Sequence, residues 1–172
     1  MKKVKILGTI IATLLTFPIH FVYDKFPNFI TSIFFPVNES IAEHMKILFG
    51  SIILSGVIQK IICIKKDIKA NNICFSNYVA AISSVIIFLI MFLPVYNLIG
   101  KNFIITITIM IISIIISEII SYYITKIKDL YLENITIILV ILTYITFGLL
   151  TYFPPKKSIF MDPIDHKYGL DR

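Results

Sequence analysis

Charge is scarce in this chain. Only 15% of its 172 residues are Asp, Glu, Lys or Arg, and the mean hydropathy is +0.91. A soluble domain carries about a quarter charged residues, so the deficit argues against a water-soluble fold. Cysteine is scarce as well. Cys63 and Cys74 flank a Lys-rich loop with no CxxC or Cys/His spacing, which supports neither a zinc site built on thiolates nor a disulfide framework. GxxxxGK, GxGxxG, HExxH and GxSxG sequences are all absent, so nucleotide binding and the standard hydrolase signatures lack support. In a soluble protein the net charge of +6 would suggest nucleic acid. Here the lysines sit mainly at the ends of apolar runs, where they set topology and snorkel into headgroups. The expected partner is the lipid bilayer, with no nucleic acid.

What the chain has instead is long apolar runs, unbroken rather than spaced at helix or strand period, and these predict membrane spans. The expected fold class is all-α: a polytopic membrane protein, one integral membrane domain over residues 1–172. Its five transmembrane helices fall at about 6–23, 38–64, 75–98, 103–125 and 133–153, with a short C-terminal tail folded on the outer face. Pro154-Pro155 stops the fifth. Met1-Lys2-Lys3 before an apolar run resembles a secretory signal, but no small-x-small cleavage site follows, so an uncleaved first span is expected.

Five spans divide the basic residues between two sides. Lys2, Lys3, Lys5, Lys60, Lys65, Lys66, Lys69, Lys126 and Lys128 fall on one side, and Lys25, Lys46, Lys101, Lys156, Lys157, Lys167 and Arg172 on the other. The loop holding Lys65, Lys66 and Lys69 is more basic than the turn at Gly100-Lys101-Asn102. The positive-inside rule then puts the N-terminus in the cytoplasm and the C-terminus outside the cell membrane. In that arrangement His20, His44 and His166 all lie on the outer side.

Chemistry concentrates in one place. Asn38, Glu39, Ser40, Glu43, His44 and Lys46 crowd into nine positions just before an apolar run. Pro36 is a helix starter, and Ser40-Ile41-Ala42-Glu43 fits a capping box, so a capped, solvated helix end with a Glu43–Lys46 ion pair accounts for part of this polarity. If the helix instead begins near Asn38, then Glu39, Glu43 and Lys46 share a face, with Ser40 and His44 on the adjoining stripe. Such a face could run proton transfer or hold a cation. At the end of the first span, Asp24 lies four residues after His20 and could orient its imidazole; the alternative is an interfacial histidine beside Phe17, Phe21 and Tyr23. The tail, rich in Phe, Met, Ile and Tyr between Ser158 and Gly169, is expected to dock on the bundle and lid the site with Asp162 to Tyr168, and Asp165-His166 could add ligands.

The candidate catalytic residues are therefore Glu39, Glu43 and His44. Asn38, Ser40, Lys46, Asp24, Asp162 and Tyr168 are candidate ligand-binding residues. His20, Glu43 and His44 are candidate ligands for a divalent metal such as zinc. Glu118 is the one carboxylate deep in a span, beside a ladder of Ser113, Ser117 and Ser121. It suggests either a protonated carboxyl bonded between helices or a site of proton or ion conduction.

Three stretches resemble a domain-of-unknown-function family of small bacterial integral membrane proteins: Pro36-Val37-Asn38-Glu39-Ser40 with Glu43-His44 and Lys46, His20-Phe21-Val22-Tyr23, and Phe160-Met161-Asp162-Pro163 with Tyr168-Gly169. The likeness spans essentially the whole chain. One departure is Ala42, where the family often has Trp. The resemblance implies a membrane location and no particular activity. Whether the chain is an enzyme is left open between three classes: a metal-dependent hydrolase or transferase acting on a lipid or peptide, a small proton- or ion-coupled transporter, and a non-catalytic accessory subunit. The absence of an inverted repeat weighs against the transporter. Oligomeric state is left open too.

Overall fold

The computed structural model describes residues 1–100 and 102–170. Lys101 and Arg172, which enter the orientation argument, lie outside the described residues. Among the described residues the chain is helical without a strand. The helices are α1 (Lys2–His20), α2 (Val22–Lys25), α3 (Phe29–Phe34), α4 (Ile41–Lys65), α5 (Ile73–Ile99), α6 (Phe103–Ile124) and α7 (Glu133–Tyr152). Five stretches, the first joining α1 and α2, are long and apolar enough to cross a membrane. The 25 residues of α4 rise about 37 Å at 1.5 Å per residue.

α4 is apolar on every side and more than half of its most apolar window is buried, which makes it the central helix. α1 lies along α4 and α6, α5 packs against both α4 and α6, and α7 sits against α3 and α5. Small residues permit these approaches. Gly8 of α1 faces Gln59 of α4 so closely that a Cβ would collide with the amide. Leu48, Phe49, Ile52, Ala80, Phe88 and Ile114 fill the interior, while Ile10, Ile90, Ile119, Ile138 and Ile141 point outward. An apolar exterior around a core that also holds buried Lys, Glu, Gln and Asn suits hydrocarbon surroundings.

Two boundaries differ from the sequence expectation and decide where the site lies. α1 ends at His20 instead of Tyr23, because Pro18 cannot donate to the Leu14 carbonyl, and Phe21 closes the helix at φ −103°, ψ 2°. α4 begins at Ile41 instead of Asn38. Ser40 is its N-cap, and the Ser40 hydroxyl accepts from the Glu43 N–H at 3.3 Å. Between them α3 has no counterpart in the five-span reading. Asn28 and Thr31 cap it reciprocally, and Phe29 and Ile30 lie exposed on its outer side.

The tail turns back across the start of α4. A 3-10 turn at Ser158–Phe160 packs on α4, and Met161 bridges Tyr168. Gly169 lies against the backbone of Thr151 with φ 54°, where a Cβ would meet the Thr151 carbonyl and the left-handed backbone would add strain. Gly169→Ala is therefore expected to free the tail while sparing the long helices. Trypsin cleavage after Lys156, Lys157 and Lys167 should quicken about tenfold, since proteolysis tracks the open population. Helicity by circular dichroism should be unchanged, and an unaltered cleavage rate would mean that the tail is held elsewhere.

Candidate functional site

The polar cluster at the start of α4 divides into two groups with different environments. Its division follows from the helix start. With Ser40 as cap, Glu43 and Glu39 no longer share a helix, and Glu43 and His44 diverge by about 100° around the axis.

Glu43 and Lys46 form the inner group. Their ion pair spans 2.8 Å, with side chains only 5% and 1% exposed. It is the expected i,i+3 pair, but a buried one. Glu43 accepts from the Val37 N–H at 3.0 Å and from the Thr151 hydroxyl at 2.8 Å. Lys46 donates to the Ser32 carbonyl at 2.7 Å, the Phe35 carbonyl at 3.3 Å and Thr151 Oγ1 at 2.6 Å. Ser32 and Phe35 carry carbonyls of the last turn of α3 and its C-cap, groups a short helix leaves unpaired and slightly negative. The inner group thus ties α3, α4 and α7 together, and its polar atoms are occupied in doing so. The second half of the capping box is absent: the Ser40 N–H goes to Asn38 Oδ1 at 2.9 Å, because Glu43 is engaged elsewhere.

His20, Glu39 and His44 form the outer group. His20 Nε2 donates to Glu39 Oε1 at 2.9 Å, and His44 Nε2 stands 4.0 Å from Glu39 Oε2. The two imidazole rings are 5.6 Å apart between centroids. His44 Nδ1 lies 2.8 Å from the Ser40 carbonyl, which can only accept, so Nδ1 carries a proton and the ring is oriented with Nε2 toward Glu39. The Glu39 side chain is 31% exposed, His20 24% and His44 14%, so this group remains accessible.

The tail and Asn38 hold Glu39 in place. Asp162 Oδ2 accepts from the Glu39 N–H at 3.0 Å, while Oδ1 accepts from Ile164 and Asp165 at 2.7 and 3.3 Å, closing the Asp-Pro turn. Asn38 donates to the Gly169 carbonyl at 3.0 Å. Asp162 and Asn38 act on backbone here. Tyr168 lines a separate cleft of about 390 Å³ with Tyr23, Phe29 and Tyr152. Asp24 is exposed on α2, and the break at Phe21 takes it off the helix that carries His20; the partner of that imidazole is Glu39. Asp165 and His166 are exposed on the tail's turn, His166 with φ 55°.

The outer group stands at the polar end of a cavity of about 160 Å³ between α1, α4, α5 and α6. Its walls are Phe17, Phe88, Phe92, Ile107, Met110 and Ile114, and Met161 and Pro163 of the tail roof it. Phe88 and Phe92 stack at 4.9 Å. These wall residues carry no sequence signal of their own, because in an apolar helix a cavity residue and an outward-facing residue look alike.

Among the described residues, no three His, Cys, Asp or Glu side chains are grouped to hold a metal ion. The set His20, Glu43 and His44 is split between the two groups, because Glu43 turns inward to Lys46 while Glu39 meets His20. Glu118 is not alone either. Lys5 of α1 reaches it at 3.3 Å within a buried cluster that includes Gln59, Asn77 and Ser121. The sequence reading assigns Lys5 to the membrane surface with Lys2 and Lys3. Its partner becomes visible only once α1 starts at Lys2 and packs on α6.

No curated protein and no solved structure matches the chain. A family model does match, over residues 1–170, so the chain belongs to a family of unknown function, DUF6512.

Proposed function

We propose that this is a multi-pass protein of the cell membrane, with its N-terminus cytoplasmic and its tail outside, that admits the apolar chain of an amphiphile sideways into the cavity. His20, Glu39 and His44 meet the head of that molecule and exchange protons with it. The basic loop around Lys65, Lys66 and Lys69 supports the orientation. The observation that carries the binding reading is the juxtaposition of accessible ionisable groups with a largely apolar cavity. Pockets of this composition bind by apolar contact and orient by a few polar groups. The Ser40 carbonyl orients the His44 ring, and Glu39, near both imidazoles, would stabilise an imidazolium formed in proton exchange.

Photolabelling tests this. A long-chain alcohol bearing a diazirine, incorporated into lipid nanodiscs with the purified protein, should label peptides of α5 and α6 that face the cavity. Met110→Trp fills the cavity from α6 and should lower that labelling about tenfold, the effect of about 1.4 kcal/mol of lost affinity. Equal labelling of the two proteins would overturn the reading.

A further inference from the structure

The cleft of about 390 Å³ that Tyr168 shares with Tyr23, Phe29 and Tyr152 lies apart from the outer group and its cavity. Independently of the amphiphile reading, we propose that this cleft binds a quaternary ammonium group, carried by a lipid head or by a dissolved molecule such as choline.

Three observations lead there. First, aromatic residues line the cleft from four separate segments: Tyr23 on α2, Phe29 at the start of α3, Tyr152 at the end of α7 and Tyr168 on the tail. A membrane-interface girdle needs only rings spread singly around a bundle, whereas here the fold gathers them. Met161 bridges Tyr168, and Asn38 donates to the Gly169 carbonyl at 3.0 Å, which fixes the tail where it closes the cleft. The rings of Phe29 and Tyr152 stand 5.7 Å apart between centroids and tilted by 47°, making a corner instead of a stack. Aromatic faces are partly negative and attract a cation placed over them. Second, among the described residues no charged side chain lines the cleft. An anion meets no lysine or arginine there, and a primary ammonium meets no carboxylate to receive its protons. A quaternary ammonium has no proton to give and needs neither. Third, the polar groups of the lining are engaged within the protein. Asn28 Oδ1 accepts from the Thr31 N–H at 3.0 Å, and its Nδ2 donates to the Phe26 carbonyl at 3.1 Å. The Tyr152 hydroxyl donates to Ser32 Oγ at 3.0 Å, since Ser32 gives its own proton to the Phe29 carbonyl. A ligand that requires many directed hydrogen bonds, such as a sugar, is poorly served by this lining, whereas ring faces suffice for a methyl-clad cation.

The experiment compares three short, water-soluble diazirine probes on the purified protein in dodecyl maltoside, a detergent without charge. They end in trimethylammonium, in a primary ammonium and in tert-butyl, the last a neutral group of the same shape as the first. The trimethylammonium probe should label peptides around Phe29 and Tyr152 about tenfold more efficiently than either of the others. Phe29→Leu, at an exposed position, keeps an apolar side chain without a ring and should lower that labelling about fivefold, as should Tyr168→Leu. Competition by dissolved choline alone would identify a free ligand, and competition by added phosphatidylcholine a lipid head. Competition by neither would overturn the proposal. Equal labelling by the tert-butyl probe would reduce the site to apolar packing, and equal labelling by the primary ammonium would remove the quaternary assignment; either result overturns it. Met110→Trp, which fills the other cavity, should leave the labelling unchanged. A fall with that variant would place the probe in the amphiphile cavity and sink the assignment of this cleft, while labelling of the chain probe there stands or falls separately.

Discussion

Glu43→Ala is expected to destabilise the protein by about 3–5 kcal/mol, the usual cost of leaving one member of a buried ion pair without its partner. Two effects add. Lys46, 1% exposed, loses the carboxylate that pairs with it and is left with neutral acceptors among the described residues, namely the Ser32 and Phe35 carbonyls and Thr151 Oγ1. The Val37 N–H and the Thr151 hydroxyl lose their contacts to the carboxylate as well. Glu43→Gln keeps the volume and one acceptor, so it should cost about half as much. The measurement is reversible unfolding in mixed micelles, read by circular dichroism. Because the inner group holds the segment between α3 and α4, both variants should also expose that segment to protease. A loss for Glu43→Ala below about 1 kcal/mol would show that the pair is solvated, as the capped-end reading supposes. The same comparison separates the two groups of the site: Glu39→Gln, at a carboxylate 31% exposed, should cost less than about 1 kcal/mol.

The contrast marks how far the sequence is legible. Helices long and apolar enough to cross a membrane can be read from it because their signal is additive: some twenty apolar residues outweigh any single exception. The bounds of α6 and α7 fall within a residue of expectation. Boundaries set by one residue are harder. Pro18 closes α1 early, and Ser40 fixes the start of α4 three residues late, and with these shifts Glu39 takes the place of Asp24 as the partner of His20, while Glu43 leaves the set with His20 and His44. The site's polar residues are conspicuous because polarity is rare in this chain, so Glu39, Glu43, His44 and Lys46 all stand out. Which of them faces inward depends on acceptors contributed from elsewhere, the Ser32 and Phe35 carbonyls and Thr151, and no local pattern announces these. The cavity wall is least legible of all, since Phe92 and Met110 differ from outward-facing neighbours only in what they pack against.

Lys5→Met is the other substitution with a large expected effect, again about 3–5 kcal/mol, and here a second replacement should reverse it. Lys5 Nζ reaches Asn77 Oδ1 and Ser121 Oγ, each at 2.5 Å, besides Glu118 at 3.3 Å. Gln59 donates to Glu118 Oε1 at 2.9 Å, and Asn77 to the Gly56 carbonyl at 3.3 Å. One cluster thus joins α1, α4, α5 and α6, four of the five long helices. Removing Lys5 leaves a carboxylate 2% exposed with a single amide donor, in surroundings where unpaired charge is costly. Glu118 Oε2 and Gln59 Oε1 make no hydrogen bond, so the Lys5–Glu118 contact acts through charge more than through directed bonds. A pair of that kind forfeits little when both members become apolar. Lys5→Met with Glu118→Met should therefore recover most of the loss, giving a coupling energy of about 2–3 kcal/mol in a double-mutant cycle. Additive losses would show instead that each residue works through its own hydrogen bonds, Lys5 through Asn77 and Ser121, Glu118 through Gln59. The first outcome makes the pair an electroneutral clamp between α1 and α6, the helices that flank the cavity, so loosening it should also widen the range of chain probes that the cavity admits.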